Sequence, residues 1–374
     1  MSTILSDTSI TNKCLVYGSG DTVQTKLKSL PNHIPRNHVL IKVHAAGLNP
    51  VDAKQVIGDK LPAFLGFVSR RVVRGATIGF EFSGTIVDKG DDDDDDYKEG
   101  DAVFGTLPPL VGTLSEYVVA PKDQICKMPS NLSYPEAACL PLVGLTALQA
   151  LKPFENNCTS ILIVGASGGT GHVAIQVAAA MGFDEIVAVC STKNMEFCTA
   201  MGATRVVDYT RNQVVEDLLL SGNSMFDIVL DCVTSVNVLD RQHEYPKKLL
   251  PLCKTKYIRL GGPSKDWFYA GCERMLPVTC FGEDKLFWIR FPQSSDELEQ
   301  LYQWCQEGKL KPKISCEVEF SPEAVQQAMD DLLSRRVQGK LVVNVSKWIR
   351  KLYDNLILNG FKFDSHLAGV VVSV

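Results

Sequence analysis

The stretch SILIVGASGGTGHVAIQVAAAMG at 160–182 constrains this chain more than any other part of it. A β-favouring apolar run meets three glycines spaced G-x-x-G-x-x-G (Gly165, Gly168, Gly171), with Gly169 between them, and a small-residue helical pattern follows. The first glycine permits a tight turn, the central pair lets backbone approach a pyrophosphate, and Gly171 lets the helix pack closely on the strand. The helix start offers free N–H groups and a positive dipole end to an anion. The spacing differs from G-x-G-x-x-G, so context must carry the weight. That context is strong. EIVAVCS is followed by helical KNMEFCTAMG, and RVVDY by QVVEDLLL, while FDIVLDCV, KYIRLGG and LPVTCFG supply further strands. Near-continuous apolar strands alternating with helices imply a parallel sheet covered on both faces. The loop therefore reads as a phosphate cradle in a doubly wound, dinucleotide-binding domain.

The earlier part of the chain has a different period. CLVYG (14–18), HVLIKVHAAG (38–47), TIGFEFSGTIV (77–87), DAVFGT (101–106) and LSEYVVA (114–120) are short β-favouring runs between Gly, Pro and Asp. They suit a small barrel or a partly open sandwich. PEAACLPLVGLTALQA (135–150) reads as a helix, and so do SDELEQLYQWCQEG (295–308) and PEAVQQAMDDLLSRR (322–336). Ser321 is placed to cap the last of these, with Pro322 at its first position. Strands are expected at ISCEVEF (314–320) and GKLVVNV (339–345).

The 374 residues carry a net charge of −5, and six consecutive Asp at 91–96 account for it; the remainder is nearly neutral. A basic nucleic-acid surface is not indicated. The 12 Cys include no C-x-x-C pair, and the 6 His form no cluster. A reducing compartment is the simpler reading. No secretory signal is recognisable at the start, and no apolar run approaches a membrane span. The expected setting is cytoplasmic, with an organellar stroma or matrix still open.

An NAD site usually ends its second strand in Asp or Glu. Here that strand ends Cys190-Ser191-Thr192-Lys193, without an acid. A hydroxyl and an ammonium suit a 2′-phosphate, and Tyr209 ends the third strand nearby. Charge logic favours NADPH.

AAGLNPVDAK (45–54), GFEFSGTIVDKG (79–90), GDAVFG (100–105), PLVGLTALQAL (141–151), GASGGTG (165–171) and GKLVVNV (339–345) resemble the medium-chain dehydrogenase/reductase superfamily. Within it the chain is similar to the zinc-independent quinone oxidoreductase and enone (alkenal) reductase branch, over about 13–346. The resemblance implies an α/β fold with a GroES-like, β-rich catalytic domain (1–130 and 286–346) and a Rossmann domain (131–285). The active cleft is expected where the two face each other. A tail at 347–374 has no counterpart, and the 64–78 segment and the Asp run depart from the pattern.

Zinc-using relatives would carry Cys within AGLNPVD and His in GFE; this chain has Asn49 and Phe80. Cys14, Cys126 and His44 read as core thiols and a strand histidine. No metal is expected. The resemblance instead gives Lys54 a catalytic role, steadying enolate charge or supplying a proton, with Asn49 placing ribose or substrate and Asp52 structural. It assigns Gly165, Ser167, Gly168, Gly169, Thr170 and Gly171 to the pyrophosphate, and Ser191, Lys193 and Tyr209 to the 2′-phosphate end. Thr146, Val233 and Gly261 would line the nicotinamide, with Gly339 and Lys340 near the cofactor. The implied activity is NADPH-dependent hydride transfer to an α,β-unsaturated carbonyl or a quinone. An enoyl-thioester reductase and a non-enzymatic NADPH-binding protein are the alternatives. The partner would be a small electrophile, with no nucleic acid, and a homodimer is left open.

Overall fold

The computed structural model describes residues 11–19, 22–57, 73–91, 96–211, 218, 225–233, 245–261, 287 and 289–347. The expected 64–78 loop lies largely outside them, as do most of the Asp run, the strand LPVTCFG, most of the helix QVVEDLLL, and the tail beyond Lys347.

Two compact units emerge. One comprises the chain up to Leu142, Phe291–Gln306 and the chain from Lys313 onward; the other comprises Val143–Arg290 and Glu307–Pro312. The sequence reading put the first crossing at 130/131. It falls later because the helix after residue 131 packs on strands of the first unit. Residues 307–312 join the second unit, where Lys311 N donates to Gln176 Oε1 at 2.8 Å.

In the first unit, β1 (Thr11–Tyr17) and β2 (Val23–Ser29) form an antiparallel hairpin. The long β3 (His38–Leu48) runs into α1 (Pro50–Ile57). There follow β4 (Glu81–Lys89), β5 (Ala102–Thr106), β6 (Tyr117–Pro121) and β7 (Ile125–Lys127). The single helix expected at 135–150 is two: α2 (Tyr134–Ala138) and α3 (Pro141–Leu151). Pro141 disfavours helix at the residue before it, so one helix ends and a new one starts there. Ser133 caps α2 in a reciprocal box with Glu136.

In the second unit, β8 (Ser160–Val164), α4 (Gly169–Ala180), β9 (Glu185–Cys190), α5 (Met195–Ala200), β10 (Arg205–Asp208), β11 (Phe226–Asp231), α6 (Tyr245–Leu249) and β12 (Cys253–Arg259) follow in turn. The five strands form a parallel sheet in the order β10-β9-β8-β11-β12. Strand order reverses beside β8, the topological switch point at which such sheets bind ligands. Leu162, Val164, Val187, Val189, Phe226 and Val229 fill its core.

The chain then returns to the first unit as α7 (Ser295–Gln306), β13 (Ile314–Glu319), α8 (Pro322–Leu333) and β14 (Lys340–Asn344). Ser321 caps α8 as expected, accepting from Ala324 N. A seven-stranded sheet runs β13-β14-β3-β4-β5-β7, with β6 also on β3. Among the described strands of this sheet only β13–β14 pair parallel, joined through α8. Phe82, Ile41, Leu48, Leu114 and Phe320 lie in its core. The β-rich and doubly wound halves are thus both present.

Candidate functional site

The glycine loop is shaped by what its glycines leave out. Gly165 leaves β8 with φ +76°, a left-handed conformation that disfavours any Cβ. A Cβ there would also stand 2.2 Å from Val233 Cγ1. At Gly171 a Cβ would meet Gly165 O at 2.3 Å and Ala166 Cα at 2.7 Å, so α4 could not lie this close to the strand end. Gly168 is the N-cap of α4 and brings no side chain to its first turn. The amides of Gly169, Thr170 and Gly171 are therefore left for an anion. Ser167, Gly168, Gly169 and Thr170 are all partly exposed, open to such a ligand. The donor geometry fits a dinucleotide pyrophosphate.

Around this loop the second unit gathers several of the residues named from sequence. Val233 lies against Gly165, and its N–H donates to the buried Asp231 at 2.9 Å. Gly261 is half-buried just past β12. The turn after β9 brings half-buried Ser191 and exposed Lys193, and Tyr209, just past β10, is 39% exposed. Two residues of this region escaped the sequence reading. Asn194 Nδ2 donates to Ser167 Oγ at 2.8 Å, tying the glycine loop to the turn after β9. Asp208 sits opposite Cys190 in the parallel register, so an acid does stand beside the end of the second strand, on its neighbour. Its carboxylate accepts from Thr192 Oγ1, from Thr210 N and Oγ1, and faces Arg211 at 3.4 Å. Desolvation opposes its charge, but these hydrogen bonds and Arg211 win and hold its carboxyl below the usual range. The signal available was the Asp-Tyr pair closing RVVDY. Thr146 is half-buried on α3.

In the first unit the residues named from sequence meet a buried charge network. Glu81, at the start of β4, is fully buried; Lys340, at the start of β14, is 2% exposed. Their Nζ–Oε1 distance is 2.6 Å. Lys340 Nζ also donates to Asn49 Oδ1 at 2.6 Å and to Leu48 O at 3.0 Å. Asn49 Nδ2 donates to Glu81 Oε1, and Leu142 N to Glu81 Oε2, each at 2.8 Å. An ammonium has three donors, and all three are spent here. The side chain of Lys340, expected near a cofactor, neutralises Glu81. Asn49, expected to place ribose or substrate, is buried with both amide heavy atoms engaged. Asp52 is structural in the sense expected. It accepts from Asn49 N at 2.8 Å and from Gly79 N at 3.1 Å. Burial pushes its carboxyl up to about 7 despite those bonds. Gly339 takes φ +75°, where a Cβ would strike Lys313 O at 2.4 Å, so it serves the turn into β14. Lys54 lies within α1, one turn on from Pro50.

The residues at the two positions that distinguish zinc-using relatives do not fit a metal. Asn49 faces an ammonium, and Phe80 has no donor atom and stacks on Phe291 with ring centroids 6.0 Å apart. Zinc needs three or four N, S or O ligands converging on one point. Among the described residues no three His, Cys, Asp or Glu do so. Cys14, Cys126 and His44 have separate partners: Asn12 O, Glu299 and Thr85.

Known proteins share this architecture. Residues 35–130 match the alcohol dehydrogenase GroES-like domain, and residues 201–343 match the zinc-binding dehydrogenase family. A trans-enoyl reductase, pgmF, of Aspergillus terreus is 30% identical over 329 residues, covering 84% of this chain and 88% of that protein. The chloroplastic NADPH-dependent alkenal/one oxidoreductase of Arabidopsis thaliana is 28% identical over 336 residues, covering 87% and 77%. The quinone oxidoreductase structure from Coxiella burnetii superposes with a TM-score of 0.70 at 28% identity, over 90% of this chain and 99% of that one. The chain belongs to the medium-chain dehydrogenase/reductase superfamily, among its enoyl, alkenal and quinone reductases. No helix among the described residues is long and apolar enough to cross a membrane.

Proposed function

We propose that this chain is an NADPH-dependent reductase that directs hydride to the β-carbon of an α,β-unsaturated carbonyl, or to a quinone, without zinc. The observation that carries this reading is the glycine loop: a cradle of first-turn amides at the switch point of a parallel sheet, in a chain whose relatives are reductases of this kind. Bound NADPH supplies the hydride. The amides of Gly169 to Gly171 hold its pyrophosphate, while Ser191, Lys193 and Tyr209 hold the 2′-phosphate. Thr146, Val233 and Gly261 border the nicotinamide. Lys54 carries the polarising role that a metal plays elsewhere, its ammonium stabilising charge on the enolate oxygen and passing on a proton, directly or through water. Asn49 acts one step back, fixing the turn from which α1 starts. The partner is a small electrophile rather than nucleic acid, acting on a monomer or homodimer. The compartment is cytoplasmic, or an organellar stroma or matrix.

The enoyl reductase relative supports a second reading, in which the activated double bond belongs to a thioester. Both are tested by NADPH oxidation, followed by absorbance, against short alkenals, vinyl ketones, a quinone and an enoyl thioester, with NADH alongside. The expected result is turnover of enones with NADPH preferred, and a loss of roughly 100-fold or more in kcat for Lys54→Ala. Thioester turnover alone selects the second reading. NADPH binding with no turnover of any acceptor contradicts both.

A further inference from the structure

We propose that the buried Glu81–Lys340 pair is a positioning device for the reaction, locking the Asn49 turn and through it the start of the helix that carries Lys54. The catalytic consequence rests on the functional reading above; the lock itself rests on geometry alone. The three residues come from β4, from β14 and from the turn between β3 and α1, 291 positions apart at most, between Lys340 and Asn49, and 32 between Asn49 and Glu81. Two opposite charges held at 0% and 2% exposure cost desolvation that an apolar trio would not, so stability alone does not favour them. Their geometry does something an apolar trio cannot: it gives the Asn49 amide one orientation. With Oδ1 on the ammonium and Nδ2 on the carboxylate, both contacts attract. Flipped, the carbonyl would face the carboxylate and the amide N–H groups the ammonium, and both would repel.

The same ammonium holds Leu48 O, and Asp52 holds Asn49 N and Gly79 N, so the turn is pinned through backbone as well as side chain. Gly47 completes the fit. A Cβ there would meet Glu81 Oε1 at 2.5 Å and Ala138 O at 2.6 Å, so only glycine lets the carboxylate reach the turn. Pro50 begins α1 directly after Asn49. A shift in the turn is therefore a shift in the helix start, and small misplacements in a site are costly in rate.

Glu81→Gln, Lys340→Met and the double variant, each in the full chain, test this with three readouts. These are thermal melts together with hydrogen exchange in peptides covering 46–53 and 165–173, NADPH affinity by fluorescence, and enone kcat and KM. Lys340→Met should speed exchange in 46–53 by roughly tenfold and lower kcat roughly 100-fold. Exchange at 165–173 and NADPH affinity should stay as in the wild type. The double variant should regain thermal stability, because no lone charge stays buried, yet regain neither slow exchange at 46–53 nor kcat. Recovery of all three together would make the pair merely structural and overturn the proposal, as would wild-type exchange and kcat in Lys340→Met. If a single variant fails to fold, the double variant still decides. A wild-type chain that turns over no acceptor defeats the functional reading and removes the catalytic half, while the exchange arm still confirms or rejects the lock.

Discussion

The glycine loop and the Asn49 turn treat polar groups in opposite ways. At the loop, the helix cap is a glycine and no side chain takes the first-turn amides of α4, which are left available to an anion. At the turn, polar groups are sealed from water, and the donors of Lys340 are all consumed internally. The first arrangement binds through backbone and tolerates little added volume. The second holds position through charge and tolerates little loss of it. Damage to the two regions should therefore be separable: affinity for cofactor at the loop, stability and rate at the turn.

The largest effect is expected where a charge is stranded. Glu81→Ala leaves the Lys340 ammonium buried beside Asn49 with no counter-charge, and should cost about 3–5 kcal/mol in urea unfolding. A cost below 1 kcal/mol would mean that water reaches Lys340 and that the seal is not real. Next comes the loop. Gly171→Ala places a methyl 2.3 Å from Gly165 O and should weaken NADPH binding by about 100-fold, about 2.7 kcal/mol, in a fluorescence titration. Unchanged affinity would show that the α4 start does not hold the cofactor.

A smaller effect belongs to pH. Burial raises Asp52 to about 7, above its unfolded value near 4, so the native state holds the proton more tightly. The stability this group confers is complete below about pH 4 and is lost as pH rises through about 7. Thermal melts from pH 4 to 8 should show that slope, and Asp52→Asn should flatten it; an equal slope in both proteins would assign it to other groups. The smallest effects are expected outside both regions, at the helix caps. Ser133→Ala and Ser321→Ala should each cost about 1 kcal/mol and leave NADPH affinity alone, which calibrates the other losses.

How much of this could be read beforehand follows from the same contrast. The loop is local: strand end, glycines and helix start lie within a dozen residues, and each glycine answers a steric demand that spacing reveals. The Ser321 cap is local in the same way. The Asn49 network is assembled from residues far apart in sequence, and each reads blandly by itself. Lys340 reads as a cofactor neighbour with no sign of its Glu81 partner, although an acid inside GFEFSG, between two buried Phe, is a visible oddity. Asp208 was missed for a related reason. An acid was sought only at the end of the second strand, and parallel pairing sets Asp208 beside that end from the third. The break at Pro141 was legible from the proline itself, but the uninterrupted run of small and apolar residues around it reads as one helix.

The central claim is that hydride goes to the carbon–carbon double bond of an enone. It is tested most directly by turning over a vinyl ketone with NADPH deuterated at the transferring position and locating the label by NMR. The account predicts a saturated ketone with deuterium on the β-carbon. An allylic alcohol labelled on the former carbonyl carbon would contradict it.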